Sequence, residues 1–357
     1  MSERLDGVMG SSKGAAKRRK RWVRGITYAV LIVLGTAFTL PFFWLVSTSF
    51  KPAERIQRWP PDILPMQPVK AVVGDVSRKV YTIADPKDPS RNGARVVITK
   101  RLAGARAVVK PLSGQARPFE TDADYLIPQV RPGLNWSNYF RGLRFIDFRQ
   151  QLSNTLIICF FSVLGTLISC SLVAYGLAKI EWKGSGVLFI LILSTMMLPY
   201  QVIMVPLFAL FVKLRWVDTF LPLTIPAFFG NAFFIFLLRQ FFLTIPKDLS
   251  EAARIDGCSE FDIYRRIILP LSKPALAMVG LWTFMGAWND FVGPLIYLVD
   301  ESRYTLSLGL AMFLGEYGSE YGMLMAVSTV VTIPIVILFF FTQRTFIQGI
   351  TMTGLKG

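Results

Sequence analysis

The fold is decided by a stretch that carries no charge, QQLSNTLIICFFSVLGTLISCSLVAYGLA at residues 150–178. About 20 apolar residues in helical conformation are enough to cross a lipid bilayer. This stretch exceeds that length and therefore predicts a transmembrane helix.

Five further runs of the same kind accompany it, and the composition agrees with them. Hydrophobic residues make up 53% of the 357-residue chain and charged residues 17%, whereas an ordinary soluble domain has about 25% charged residues. We therefore expect an all-α membrane protein with six transmembrane helices. The uncharged runs, the fifth of them interrupted by one aspartate, cover residues 25–50, 150–178, 184–212, 219–238, 274–299 and 321–343. The first run has 26 residues, too many for the core of a cleaved signal peptide, which has about 7–15.

Several residue types that carry enzyme chemistry are missing from the chain. It has no histidine, which excludes histidine-based acid–base catalysis and histidine metal sites. Its cysteines, Cys159, Cys170 and Cys258, form no CxxC pair, and no GxxxxGK[ST] phosphate-binding motif is present. We therefore expect no catalytic residue, no metal site and no cofactor bound by this chain, which is not expected to be an enzyme.

The net charge of +16 is distributed as in a membrane protein, which argues against nucleic acid as a partner. With a cytoplasmic N-terminus, the inner segments hold 18 lysines and arginines and the short outer loops hold 3. Cytoplasmic loops carry the excess of positive residues, and segments as long as 51–150 cross regardless of charge. Both termini are therefore expected in the cytoplasm.

The long exterior segment contains a polar insertion at about residues 66–131. Two runs rich in β-branched residues, 80–83 and 96–99, are separated by turn residues, namely Pro86, Pro89 and Asn92-Gly93. This pattern predicts a small β-rich insertion of a few hairpins. Its size makes an independent core marginal.

The most specific segment lies between the fourth and fifth runs and reads PKDLSEAARIDGCSEFDIYRRIILP at residues 246–270. Gly257 follows one predicted short helix at the position where a left-handed residue commonly ends it. Ser259 and Asp262 resemble the capping box that begins a second helix. Phe261, Tyr264 and Ile268 are expected on one face of that helix, which Pro270 is expected to end. An amphipathic helix-turn-helix on the inner surface predicts a docking element for a partner.

Here the sequence resembles the permease subunits of binding-protein-dependent ABC importers. Glu251-Ala252-Ala253, Gly257 after three residues, and Ile267-x-Leu269-Pro270 after nine more match the EAA motif of that family. The resemblance covers residues 26–65 and 133–357 and is nearest to the maltose-type inner permeases of the carbohydrate subgroup; the insertion departs from their pattern. Further matching stretches are MLPYQ (197–201), VP (205–206), FLLRQFF (236–242), WNDF (288–291) and the tail from residue 348 to 357.

The resemblance implies a fold, a function and a set of partners. The fold would be the type I ABC importer permease, and the function would be carbohydrate import across the bacterial cytoplasmic membrane by alternating access. The partners would be a related permease subunit, a sugar-binding protein outside, and a cytoplasmic ATPase dimer that holds ATP and Mg²⁺. The coupling residues carried over from the motif are Glu251, Ala252, Ala253, Asp256, Gly257, Ile267, Leu269 and Pro270.

Polar residues within the spans are the candidates for the translocation pathway or gate. Asp290 is an acidic side chain inside a span, where charge is costly and usually faces a cavity or a partner. Gln201, Asn231 and Asn289 are the other candidates, although each is as well explained by packing between helices. Pro294 is expected to break the helix near Asp290.

The expected organisation is a basic cytoplasmic tail, a first span, an exterior segment, a five-helix core and a cytoplasmic C-terminal tail. Their bounds are 1–25, 26–50, 51–150, 151–345 with a coupling loop at 244–274, and 346–357. The alternative function is an ion-coupled secondary transporter or channel for small polar solutes. That class usually has carboxylates or histidines deep in the membrane, and the single aspartate weakens this alternative.

Overall fold

The structure is a computed structural model that describes residues 2–113, 117–315 and 318–354, with side chains described for 20–113, 117–315 and 320–343. The last three residues of the predicted C-terminal tail therefore lie outside the described residues. The chain forms two compact units: Met1–Tyr139 with Tyr321–Thr329, and Phe140–Glu320 with Val330–Gly357.

The chain is mostly helical, with strands concentrated after the first helix. The helices are α1 (Ser2–Ser49), α2 (Ala53–Ile56), α3 (Ser137–Phe145), α4 (Phe148–Ala178), α5 (Ser185–Thr195), α6 (Tyr200–Lys213), α7 (Leu221–Thr224), α8 (Ala232–Thr244), α9 (Lys247–Ile255), α10 (Glu260–Ile263), α11 (Leu269–Leu271), α12 (Lys273–Asn289), α13 (Val292–Tyr297), α14 (Leu306–Ala311) and α15 (Tyr321–Gly354). The strands are β1 (Met66–Pro68), β2 (Lys70–Val73), β3 (Val76–Ile83), β4 (Arg95–Arg101), β5 (Arg106–Pro111), β6 (Phe119–Asp122), β7 (Leu126–Pro128), β8 (Val130–Pro132), β9 (Leu314–Gly315) and β10 (Gly318–Ser319).

Among the residues that the structure describes, four helical stretches are long and apolar enough to cross a membrane: Lys20–Ser49, Phe148–Ala178, Leu221–Thr244 and Tyr321–Gln343. Two bent helix pairs raise the number to as many as six. The predicted third run is one of these pairs, since α5 and α6 meet at 94° around Pro199. A proline lacks the amide N–H of a helical turn, which accounts for a break at this position.

The predicted fifth run, residues 274–299, follows a bend and is interrupted within its own length. The segment Glu260–Leu271 meets α12 at 80°, and α12 ends at Asn289. The expected break near Asp290 is present, because α12 ends at Asn289 and α13 begins at Val292, with Pro294 in its first turn. A proline in the first turn of a helix costs little, since the first amide groups have no partner within the helix.

In the first unit, the insertion forms a six-stranded sheet in the order β2-β3-β4-β5-β6, with β7 paired to β3. The two predicted β-branched runs lie in β3 and β4, which pair antiparallel with Val80 opposite Val97. The sheet covers a core of Ile83, Val96, Ala107, Val109 and Leu126. A β-rich insertion therefore follows the first helix.

The entry and exit of this insertion lie side by side. Strands β1 and β8 pair antiparallel, with Met66 opposite Pro132, and the amide of Gly133 donates to the carbonyl of Pro65 at 3.1 Å. The chain thus leaves the sheet where it enters it. We call residues 66–132 the β module.

Removal of the β module, with Pro65 joined to Gly133 through two glycines, is expected to leave the yield of membrane-inserted protein unchanged. A matched deletion of residues 72–138 has the same length but removes Asn138, whose amide donates to the carbonyls of Ser49 at 2.7 Å and Lys51 at 2.9 Å. That deletion is expected to lower the yield because it leaves buried carbonyls without donors. Fluorescence-detected size-exclusion chromatography measures both, and equal losses would contradict the prediction.

In the second unit, α4 packs against the irregular segment 221–229 through its small residues. The Ser162 hydroxyl donates to the Leu223 carbonyl at 3.2 Å, and that of Ser169 donates to the Ala227 carbonyl at 2.9 Å. A Cβ at Gly165 would lie 2.6 Å from the ring of Phe228. Small residues therefore permit the close approach of the two segments.

Candidate coupling site

The helix α9 begins after Pro246 and ends at Ile255. Two residues later Gly257 has the left-handed conformation, with φ +80°. The amide of Cys258 donates to the carbonyl of Ala253 at 2.9 Å, and that of Gly257 donates to Arg254 at 3.1 Å. These two bonds form a Schellman motif, which satisfies the last carbonyls of a helix. The predicted glycine cap is confirmed.

The predicted capping box at the start of α10 is also confirmed. The Ser259 hydroxyl accepts from the amide of Asp262 at 3.2 Å and donates to its carboxylate at 2.6 Å. These bonds, with Arg266 nearby, hold the pKa of Asp262 below its usual value. The turn between the two short helices is thus fixed at both sides, and it holds α9 and α10 in a defined relation.

One expectation about this second helix holds within one residue, and another is wrong. After a π-helical turn at Tyr264–Ile268, α11 continues through Pro270 and ends at Leu271. In the π turn the amide of Leu269 donates to Tyr264 five residues back; such turns are inserted within helices. Phe261 does not share the buried face, because it is 62% exposed while Tyr264 and Ile268 are buried.

The predicted coupling residues divide between a buried and an exposed face of the element. On α9, Ala253 is buried together with Ser250, whereas Glu251 and Ala252 are exposed. Ile255, which was not among the predicted coupling residues, is 87% exposed. Of the remaining predicted residues, Asp256, Gly257 and Pro270 are exposed, and Ile267 and Leu269 are half-buried.

The buried face joins a core built from residues of several helices. Ala253, Ile263, Tyr264 and Ile268 pack with residues of α4, α8 and α12. The predicted docking element, residues 247–271, is therefore part of the packed core of the second unit, while Glu251, Ala252 and Ile255 on it are exposed. Apolar side chains such as Ile255 on an exposed face are typical of a surface that a partner covers.

An ionic network that the sequence analysis missed ties α9 to α4. Arg254 on α9 donates to one carboxylate oxygen of Glu260 at 2.7 Å, and the hydroxyl of Tyr175 on α4 donates to the other at 2.6 Å. The bonds from Arg254 and then Tyr175 lower the pKa of Glu260. Glu260 is therefore ionised at neutral pH, with both oxygens engaged.

A cleft of ≈ 350 Å³ lies between the end of α4 and α9. On its rim Lys247 pairs with Glu181 at 2.8 Å, with both side chains well exposed. Lys179 lies deeper, donates to the Ile245 carbonyl at 2.6 Å, and has its pKa lowered by burial and by Lys247. Glu251 also lines the cleft, and it forms no ion pair with any described residue.

The pathway candidates have local roles in the structure. Asn231 caps α8 by accepting from the amides of Phe233 and Phe234. Asn289 donates to the carbonyl of Met285 at 2.8 Å, which is a bond within its own helix.

Asp290 accepts from the amide of Gly293 at 3.1 Å and stabilises the break between α12 and α13. Gln201 is exposed on the first turn of α6, next to the break at Pro199. The structure gives local capping or backbone bonds to three of the four candidates. Among the described residues, no group of three or more His, Cys, Asp or Glu side chains is placed to hold a metal ion.

Comparison with known proteins gives one family over more than half of the chain. The model of the binding-protein-dependent transport system inner membrane component matches residues 150–351. The arabinooligosaccharides transport system permease protein AraQ of Bacillus subtilis is 40% identical over 64% of this chain and 81% of its own length. The trehalose/maltose transport system permease protein MalG of Thermococcus litoralis is 36% identical over 67% of this chain and 88% of its own length.

A solved structure is similar over most of the chain. It is a chain in the crystal structure of a bacterial ABC transporter involved in the import of the acidic polysaccharide alginate, with a TM-score of 0.64 and 22% identity. The match covers 91% of this chain and 97% of that one. At this identity the likeness shows a shared fold.

Proposed function

The chain belongs to the family of binding-protein-dependent transport system inner membrane components and has the type I ABC importer permease fold, and from this premise we propose that it imports a carbohydrate. The alternative of an ion-coupled transporter has no support in this family. The observation that carries the proposal is the docking element at 247–271, whose exposed face lies within the matched region.

The carbohydrate class is supported by relatives whose names specify sugars. Their names specify arabinooligosaccharides, trehalose and maltose, and melibiose, raffinose and stachyose. We propose an oligosaccharide or a related sugar as the substrate. Uptake of labelled arabinotriose, maltose and raffinose before and after deletion of this chain would identify the class.

In this proposal the chain forms part of the pore of a larger assembly and transmits the movement that opens it. It spans the bacterial cytoplasmic membrane six times, with the bent pair α5–α6 as the third span and α12 as the fifth, and both termini are inside. A related permease completes the pore, a sugar-binding protein delivers the substrate outside, and an ATPase dimer that binds ATP and Mg²⁺ lies inside. The chain performs no bond chemistry itself.

We propose that the exposed face of α9 is the surface on which the ATPase docks. Glu251 presents a carboxylate that no described residue pairs, Ala252 allows close approach, and Ile255 offers apolar area. Glu251, Ala252, Asp256 and Gly257 therefore act in docking. Ala253 holds the helix in place from the buried side.

Docking of the ATPase is expected to shield Cys258 from a maleimide reagent. Cys258 follows Gly257 and is half-buried, whereas Cys159 and Cys170 are 1% and 0% exposed, so the label reports on Cys258 alone. We expect labelling of the solubilised chain to be fast without the ATPase and at least about tenfold slower with it, as protection factors follow occupancy. Cys258→Ser is the control that removes the signal. Equal labelling rates with and without a co-purifying ATPase would contradict docking at this surface.

A further inference from the structure

Two hydrogen-bonded pairs join the docking element directly to the membrane-spanning helix α4. The hydroxyls of Ser171 and Tyr264 lie 2.7 Å apart, and the hydroxyl of Tyr175 donates to Glu260 at 2.6 Å. The rings of Tyr175 and Tyr264 also pack, with centroids 5.3 Å apart. We call these two pairs, Ser171–Tyr264 and Tyr175–Glu260, the α4 grip.

The spacing of the four residues sets the relative orientation of α4 and the docking element. Ser171 and Tyr175 are four residues apart on α4, and so are Glu260 and Tyr264 on the docking element. Residues four apart lie on one face of a helix, so the two segments are joined at two successive turns in antiparallel order. Two attachment points along one axis resist rotation and sliding, which a single hydrogen bond does not.

The α4 grip is also connected to the docking surface. Arg254 on α9 shares the carboxylate of Glu260 with Tyr175, so a displacement of α9 pulls on the acceptor that holds α4. Charge-assisted bonds of this kind are stronger and more directional than neutral ones. The pair Lys247–Glu181 at the rim is more exposed, with side chains 68% and 85% exposed against 41% and 42% for Arg254 and Glu260, and the most exposed pairs contribute least.

Few side chains of α9 are buried against the rest of the second unit. On α9 only Ser250 and Ala253 are buried among the described side chains, which is a small apolar area for a helix that must move as part of a larger body. The π turn begins at Tyr264 itself, and such turns frequently mark functional positions. The hydrogen bonds through Glu260 therefore link α9 to α4 in addition to the packing of Ala253.

We propose that the α4 grip transmits the movement of α9 to the membrane-spanning helix α4, so that its residues position the helix during transport. This inference rests on the proposed function and names the residues through which it works. Tyr175, Tyr264, Ser171 and Glu260 are positioning residues, because none of them is placed on the exposed docking face. Without the grip, the ATPase still docks and hydrolyses ATP, but less of its movement reaches the pore.

The test is the double variant Tyr175→Phe/Tyr264→Phe, which removes both hydroxyls and keeps both rings. In vesicles containing the full complex, the amount of sugar imported per ATP hydrolysed is expected to fall about three- to tenfold, the effect of losing bonds of this class. The sugar is whichever of labelled arabinotriose, maltose and raffinose the unchanged complex imports. The ratio is the chosen readout because poor folding lowers import and hydrolysis together and leaves the ratio unchanged.

The matched control is Tyr139→Phe, which also removes a tyrosine hydroxyl that lies 2.7 Å from a serine hydroxyl, that of Ser49. This control is expected to keep the ratio of the unchanged complex. An unchanged ratio in the double variant, or an equal fall in the control, would overturn the inference. Failure of the proposed function has a different signature, since the unchanged chain would then bind no ATPase and show no ATP-dependent import.

Discussion

A Glu251→Lys variant is expected to reach the membrane in normal amounts and to lose sugar uptake by at least about tenfold, which corresponds to about 1.4 kcal/mol of lost docking. Glu251 is exposed, so the substitution leaves the packed core untouched. It places a cation four residues after Lys247 and three before Arg254, where like charges repel on a helix surface. It also replaces the unpaired carboxylate on the proposed docking face with the charge that a basic partner group would avoid.

The control for this variant is Glu181→Lys, which makes the same change of charge at the rim of the same cleft. Glu181 pairs with Lys247 at 2.8 Å and is exposed, and it lies after α4 rather than on α9. We expect this control to keep most of the uptake, since exposed ion pairs contribute about 0–1 kcal/mol. Radiolabelled uptake and membrane yield measure both variants. Equal losses would mean that the local charge balance matters rather than the position of Glu251.

The sequence predicted the local structure of the docking element because its signals are short-range. A glycine after a helical segment, and a serine three residues before an aspartate, specify backbone conformations within a few residues. Gly257 and Ser259 therefore fold as expected. The apolar runs likewise predicted helical spans, because their length relative to the bilayer is a property of the chain alone.

The π turn and the exposure of Phe261 were beyond these signals, since they depend on packing between distant segments. Phe261 has the spacing of a core residue and lies on the surface, because the core available to α10 is set by α4 and α8. A spacing rule contains no information on which neighbour is present.

The hydrogen bonds around Glu260 are functional contacts that could not be predicted from the sequence either. Tyr175 and Glu260 are 85 residues apart, and nothing in either local sequence marks them as partners. The motif emphasised Glu251 and Gly257, which face outward, and omitted the inward contacts of Arg254. Only the fold brings the hydroxyl of a membrane helix to a carboxylate of the docking element.

Sugar uptake is expected to fall least in Gly257→Asn, further in Gly257→Ala, and completely in Gly257→Val. The φ of +80° lies in the region that L residues rarely adopt, and a Cβ there would meet no atom of the described residues within 4 Å. The cost is therefore one of backbone conformation, about 1–2 kcal/mol for an ordinary residue, lower for Asn and higher for a β-branched side chain. Uptake and ATP hydrolysis of the complex measure the series.

The uptake measured for Gly257→Asn shows why a glycine is required at this position. Asn tolerates the left-handed conformation but fills the open space beside the turn, so it separates strain in the chain from contact with a partner. Retained uptake in Gly257→Asn means that the Schellman turn alone requires glycine. Loss as complete as that of Gly257→Val means that the docked ATPase approaches the backbone at this turn, and the faster maleimide labelling of Cys258 in that variant would then accompany a failure to dock.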